Sequence, residues 1–288
     1  MTAQPFEVPI EQGILVGHRG GDGPPALLLH GGAAVPDYLG DCAELLGDLF
    51  TTYRYTQRGT PPSDAGPPYS IEAHLDDALA VLDAFEIDRA WAIGHSWGGH
   101  LALQLLVAHP ERLLGVICVG TLGADADVFP EYEQNLARRM TDDEIGFVRE
   151  TQARRRAGEV SEADLVEVFR IVWPRFFRDA ANATAPPEHV GAEASIGTNR
   201  SLAEHFARGT LRKRLPSAKA PVLFVHGEHD PMPIRTAWET AALIEGARVE
   251  PVAGAAHFPW VEQPRAFRRA VGSFLSEQPA RTAGAGGL

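Results

Sequence analysis

Ser96 stands in the run Gly94-His95-Ser96-Trp97-Gly98-Gly99, which follows the apolar stretch Ala90–Ile93 and opens another from Leu101 to Ala108. A serine between small residues, at the junction of a predicted strand and a predicted helix, is the pattern of a nucleophile elbow. Such a turn forces the serine backbone into a strained conformation and brings the chain so close to itself that a Cβ at Gly94 or Gly98 would clash. The hydroxyl is thereby lifted clear of the sheet. It remains a weak nucleophile at neutral pH unless a base takes its proton, and that base needs an acid to hold it in the right tautomer.

Downstream the chain supplies both, acid first and then histidine. Val225-His226-Gly227-Glu228-His229-Asp230-Pro231 follows one predicted strand and Gly254-Ala255-Ala256-His257-Phe258-Pro259 follows the next. We assign Asp230 as the acid and His257 as the base, because both lie just beyond strand carboxyl ends, as Ser96 does, where open α/β sheets bind ligands. Asp125 and Asp127 are rivals for the acid, but their surroundings, between Gly123 and a predicted helix, suit a helix-entry turn. Glu228 precedes the turn, His226 closes a strand and His229 decorates its loop, while His95 is expected to pack against the sheet. Acyl transfer also needs two backbone donors aimed at the developing oxyanion. One is the amide of Trp97. The other is expected from His30-Gly31-Gly32-Ala33, after the predicted strand Ala26–Leu29, with Gly32 preferred to Ala33 and His30 organising the loop.

These residues require a sheet to position them. Apolar runs bounded by turn residues and alternating with amphipathic stretches predict an α/β architecture, a mostly parallel sheet with crossover helices. Strands are predicted at Ala26–Leu29, Thr52–Tyr55, Ala90–Ile93, Leu114–Val119, Val222–Val225 and Arg248–Val252, with an antiparallel edge hairpin of Phe6–Ile10 and Ile14–Gly17. Ile71, Leu75, Ala78, Leu79, Leu82 and Phe85 fall at helical spacing after a Ser70 cap, and Phe267, Val271, Phe274 and Leu275 do the same near the other end. The rhythm breaks between about Gly123 and Pro216, where helices are predicted at Phe129–Arg139, Asp142–Arg156, Ala163–Phe177 and Leu202–Leu211. The predicted organisation is therefore a core of residues 1–122 and 217–278, a helical cap at 123–216 and a disordered tail at 279–288.

Composition narrows the class. A chain of 288 residues that is 44% hydrophobic can build a large buried core. A net charge of −12 disfavours nucleic acid and anionic membrane surfaces as partners. No charged leader followed by an apolar run precedes the first predicted strand, and no apolar stretch approaches the roughly 20 residues of a membrane span, so a cytoplasmic location is expected. Cys42 and Cys118 lack metal-type spacing and are expected to be reduced, structural thiols. No metal or cofactor is expected, and the expected partner is a small-molecule or short peptide substrate.

Taken together, these features make the chain resemble an α/β-hydrolase over nearly its full length, and within that superfamily it is most similar to the proline iminopeptidase group. The resemblance rests on Ser96-Trp97-Gly98-Gly99, on the His-Gly-Gly loop, and on Tyr55-Thr56-Gln57-Arg58-Gly59, which resembles that group's Tyr-Asp-Gln-Arg-Gly. The chain departs from the group at Thr56 and at Ala33-Ala34, where the group has Pro-Gly. The resemblance implies the α/β-hydrolase fold with an inserted helical cap, and a serine hydrolase working through an acyl-enzyme, first read as an aminopeptidase on a small or N-terminal aminoacyl substrate. That group holds the substrate's amino terminus with acidic cap residues, for which Glu133, Glu188, Glu193 and Glu204 are candidates by charge alone. The alternative is a carboxylesterase, lactonase or thioesterase acting on a small metabolite, with Phe147, Val168, Trp173, Phe176 and Phe177 as pocket lining. A third reading is a non-catalytic ligand-binding protein of the same fold. Epoxide hydrolases and haloalkane dehalogenases place aspartate at the elbow, so Ser96 excludes their alkyl-ester intermediate.

Overall fold

A computed structural model describes residues 3–278; the tail predicted at 279–288 lies outside the described residues. Eight strands, β1 (Gln4–Ile10), β2 (Gly13–Gly21), β3 (Pro25–Leu29), β4 (Thr51–Tyr55), β5 (Ala90–His95), β6 (Leu113–Val119), β7 (Val222–Gly227) and β8 (Arg248–Val252), form one sheet in the order β1-β2-β4-β3-β5-β6-β7-β8. β2 pairs antiparallel with β1 and β4, and all other pairs are parallel. The predicted hairpin sits at the sheet edge, with Val8 opposite Leu15.

The central strands bury both faces, as parallel strands covered by helices must. Leu27, Leu29, Ala90, Ala92, Val222 and Phe224 enter one core, and Ala26, Leu28, Trp91, Ile93, Leu223 and Val225 enter the other, following the two-residue period of a strand. Helices α1 (Gly40–Leu45), α2 (Ile71–Ala84) and α3 (Trp97–Ala108) come from the first half of the chain. α2 and α3 cover the first core and α1 the second. Ser70 caps α2 by accepting the Ala73 N–H, as its sequence predicts. α3 is buried from Trp97 to Val107, which explains its all-round apolar sequence.

Between β6 and β7 lie α4 (Phe129–Ala137), α5 (Asp142–Ala157), α6 (Glu162–Val172), α7 (Ala192–Arg208) and α8 (Thr210–Arg214), with no strand among the described residues. Thr141 with Glu144, and Ser161 with Asp164, form capping boxes at the starts of α5 and α6. Two helices of this segment depart most from the sequence expectation. The helix predicted to reach Phe177 ends at Val172, because Pro174 cannot donate to the Arg170 carbonyl; a 3-10 turn over Trp173–Phe176 follows. The helix predicted at Leu202–Leu211 begins instead at Ala192 and is broken by Gly209, whose φ of +62° ends α7. The remaining helices are α9 (Arg235–Ala241), α10 (Pro259–Glu262) and α11 (Pro264–Ser276), the last burying Phe267, Val271 and Phe274.

The topology locates a site before any side chain is considered. The chain runs outward from β3 to β4 and then crosses back to β5 on the other side of β3, so the strand order reverses between β3 and β5. Leu29 pairs with Gly94 at the carboxyl end of that junction. Cys42 and Cys118 are both free and buried. Among the described residues no helix is long and apolar enough to cross a membrane.

Candidate active site

Ser96 follows β5 at φ 54°, ψ −116°, one of three non-glycine residues with positive φ among those described. A Cβ on Gly94 would lie 2.1 Å from the Gly98 carbonyl oxygen, and one on Gly98 would lie 1.9 Å from the Leu29 carbonyl oxygen. Both glycines are therefore required by close approach, as the elbow reading demands. The Ser96 N–H donates to Val119 O at 2.8 Å, tying the turn to β6. Trp97 opens α3, so its N–H is among those a helix leaves without an internal acceptor, at the positive end of the helix dipole.

Asp230 follows β7 and His257 follows β8, and the structure brings them together: His257 Nδ1 lies 2.8 Å from Asp230 Oδ2, both side chains buried. An ionised carboxylate accepts only, so Nδ1 carries the proton and Nε2 keeps its lone pair for another donor. The second oxygen, Asp230 Oδ1, accepts the Met232 N–H at 2.8 Å. The His257 N–H donates to Phe176 O at 2.9 Å. The rivals are engaged elsewhere. Asp125 pairs with Arg212 at 2.6 Å, Asp127 faces Arg235 at 3.6 Å, and Glu228 and His229 are exposed. His226 is buried beside the acid, its Nε2 3.6 Å from Asp230 Oδ2, but its Nε2–H is donated to Met232 O at 2.7 Å.

The loop after β3 is held by His30 and Gln57. The Gln57 N–H donates to His30 Nε2 at 3.0 Å, which leaves Nδ1 protonated to donate to Gly31 O at 2.9 Å. Burial holds this imidazole below its usual pKa, in the neutral form the two bonds require. With its carbonyl pinned, the Gly31–Gly32 peptide plane is fixed, and with it the direction of the Gly32 N–H. Gln57 also donates Nε2–H to His30 O at 2.9 Å and accepts the Trp97 indole N–H at 2.8 Å. One amide side chain thus links the His-Gly-Gly loop to the residue after Ser96.

Three residues that the sequence did not single out for the site complete its surroundings. Tyr38 Oη accepts the Gly31 N–H at 2.9 Å and contacts His95 Nδ1 at 2.6 Å, and His95 Nε2 lies 2.9 Å from the His257 carbonyl oxygen. His95 is buried, as expected, but is bonded at both ring nitrogens instead of simply packed. Gly120, directly after β6, leaves room for the acid–histidine pair: its absent Cβ would sit 2.9 Å from His257 Nδ1. Phe169 on α6 lies within 3.5 Å of where a Gly32 Cβ would stand.

The segment between β6 and β7 turns an aromatic face to these groups. The Trp173 ring lies 5.3 Å from that of Tyr38, and Phe176 lies 4.9 Å from the His257 ring. Phe177 stacks on Phe258 at 4.6 Å, while Phe147 and Val168 pack in the same core. Glu133, Glu188, Glu193 and Glu204 are all exposed, and Glu204 pairs with Arg208 at 3.1 Å.

Sheet, elbow and strand-end residues are those of an α/β-hydrolase. The profile of the alpha/beta hydrolase fold matches residues 24–264, and the chain belongs to that family. It is an enzyme, a serine hydrolase. It is 27% identical over 283 residues to a 2-hydroxymuconate semialdehyde hydrolase of Pseudomonas sp. (strain CF600), covering 91% of this chain and 90% of that protein. It is 24% identical over 272 residues to a proline iminopeptidase of Elizabethkingia meningoseptica, covering 87% and 89%. The solved structure of an alpha/beta fold family hydrolase from Bacillus anthracis str. Sterne superposes with a TM-score of 0.73 at 20% identity, covering 95% of this chain and all of that one, a likeness of fold alone.

Proposed function

We propose that this enzyme hydrolyses a small, uncharged ester, lactone or thioester through an acyl-enzyme on Ser96. His257 Nε2 takes the Ser96 proton as the oxygen attacks the carbonyl carbon, and Asp230 holds the ring and stabilises the imidazolium that forms. The Gly32 and Trp97 amides receive the negative charge of the tetrahedral intermediate. Its collapse expels the alcohol or thiol with the proton from His257, and water then repeats the sequence in reverse to release the acid. The helices between β6 and β7 serve as the cap that encloses the acyl group.

The observation that carries the substrate class is the aromatic face that the cap turns to the site. Phe169, Trp173 and Phe176 are the cap residues that meet Gly32, Tyr38 and His257, whereas the four glutamates suited to an amino terminus face solvent. A protonated amine held unpaired against such a face would cost several kcal/mol. The kinship with a proline iminopeptidase and with a semialdehyde hydrolase supports hydrolysis without choosing between them, so the choice rests on this face. The test compares p-nitrophenyl butyrate with prolyl and alanyl arylamides, each free and N-acetylated. Cleavage of the ester with both amide forms intact is expected. Cleavage of free prolyl arylamide that N-acetylation abolishes would return the enzyme to the aminopeptidase reading.

A further inference from the structure

We infer that Tyr38 and His95 act as a positioning bridge, a single hydrogen-bond chain that sets the oxyanion loop and the backbone of the catalytic histidine relative to one another. The inference rests on the acyl-enzyme reading above. It begins with a group whose role is fixed: the Gly31 N–H can only donate, so Tyr38 Oη is an acceptor at 2.9 Å. The phenolic hydrogen is then free to go to His95 Nδ1 at 2.6 Å. That makes His95 the Nε2–H tautomer, which is what the His257 carbonyl, 2.9 Å away, requires as a donor. Every donor meets an acceptor in one direction only, and the chain is self-consistent when His95 is neutral. Burial, with His257 nearby, holds it in that form.

The loop needs such a tether. Gly31 and Gly32 are conformationally free by nature, and neither can be stiffened by a larger residue. A Cβ on Gly31 would meet Tyr38 Oη at 2.4 Å and Ser96 Cβ at 2.8 Å, and Gly32 adopts φ +67°. Order in this peptide pair must come from its hydrogen bonds: His30 holds the Gly31 carbonyl and Tyr38 holds the Gly31 N–H. At the other end His95 hydrogen-bonds the His257 main chain while the two rings pack at 4.5 Å, so neither ring nitrogen of His257 is taken up by the bridge and Nδ1 stays with Asp230. Trp173 and Phe258, with rings 5.3 and 5.8 Å from Tyr38, keep the phenol in place.

The test uses the full-length enzyme and the variants Tyr38→Phe, His95→Gln and His95→Leu. Wild type is first treated with a fluorophosphonate; if Ser96 is not labelled, the acyl-enzyme reading fails and the bridge fails with it. Given labelling, Tyr38→Phe is expected to lower kcat/KM for p-nitrophenyl butyrate by about 10- to 100-fold, the size of effect that a small misplacement of catalytic groups produces. Affinity for butylboronic acid, which forms a tetrahedral adduct on serine, should fall in parallel, while affinity for the product butyrate stays unchanged. His95→Gln, whose amide can still donate toward the His257 carbonyl, should retain more activity than His95→Leu. Wild-type kcat/KM in a folded Tyr38→Phe, or equal loss of butyrate and butylboronate affinity, overturns the bridge. If Tyr38→Phe does not fold, the pair of His95 variants decides: equal activity in Gln and Leu overturns it.

Discussion

A Cβ built on Gly120 would stand 2.9 Å from His257 Nδ1 and 3.0 Å from Asp230 Oδ2, pressed against both ends of the hydrogen bond that joins those two side chains. Gly120 also has φ +52°, which strains any other residue. Gly120→Ala should therefore pry the pair apart and lower kcat on the order of tenfold or more. The strained backbone should cost roughly 1–3 kcal/mol in urea unfolding. Wild-type turnover in Gly120→Ala would show that the pair has slack the geometry does not suggest.

Gln57 carries three bonds to two parts of the site, so Gln57→Leu should leave the His30 carbonyl and the Trp97 indole N–H buried and unpaired. Each orphaned group costs about 1–3 kcal/mol. Denaturant unfolding should register the sum, and kcat should fall because both proposed oxyanion donors lose their common support. A variant as stable and as active as wild type would remove Gln57 from the account.

Asp230→Asn should lower kcat by about 10⁴-fold, since an amide cannot hold the Nδ1–H tautomer of His257. Asp125→Asn breaks only the ion pair with Arg212, part of it exposed, and should leave turnover unchanged with at most about 1 kcal/mol lost in stability. The opposite pattern in steady-state assays would move the acid to the chain after β6.

Stability should fall on mild acidification. His30, His74, His95, His100 and His226 all have pKa values lowered by burial, to about 3 for His74 and about 4 for His100. As pH falls through the ordinary histidine value near 6.5, the unfolded chain takes up protons that the folded chain refuses. The stability these groups contribute is thus complete above that value and lost below it, at about 1.4 kcal/mol per pH unit for each such histidine. Tm measured by calorimetry should drop between pH 7 and pH 5, and His74→Gln or His100→Gln should flatten the slope. A Tm that holds or rises over that range would contradict buried neutral histidines.

Much of the candidate site's geometry was legible because its parts are local. The elbow is written in six consecutive residues, and Asp230 and His257 each follow directly on an apolar strand, so the position of the strand end places the side chain. The fold was legible for the same reason, through strand-length apolar runs and a capped amphipathic α2. Tyr38 was not legible: it lies in a loop without periodicity and reaches His95 across 57 residues of chain. Phe169 carried a signal, standing one turn from Trp173 on the same helical stripe, and so did Gly120, a glycine closing an apolar strand. Pro174 was in plain view as the terminator of α6. What no local pattern encodes is which of two helical faces turns toward the sheet, and the substrate reading depends on that.

The central claim is that Ser96 is the nucleophile, and mass spectrometry of the intact protein after treatment with a fluorophosphonate tests it most directly. Wild type should gain one adduct that peptide mapping places on Ser96; Ser96→Ala should gain none and should hydrolyse p-nitrophenyl butyrate on the order of 10³-fold or more slowly. An adduct on another residue, or undiminished hydrolysis by Ser96→Ala, would contradict the account.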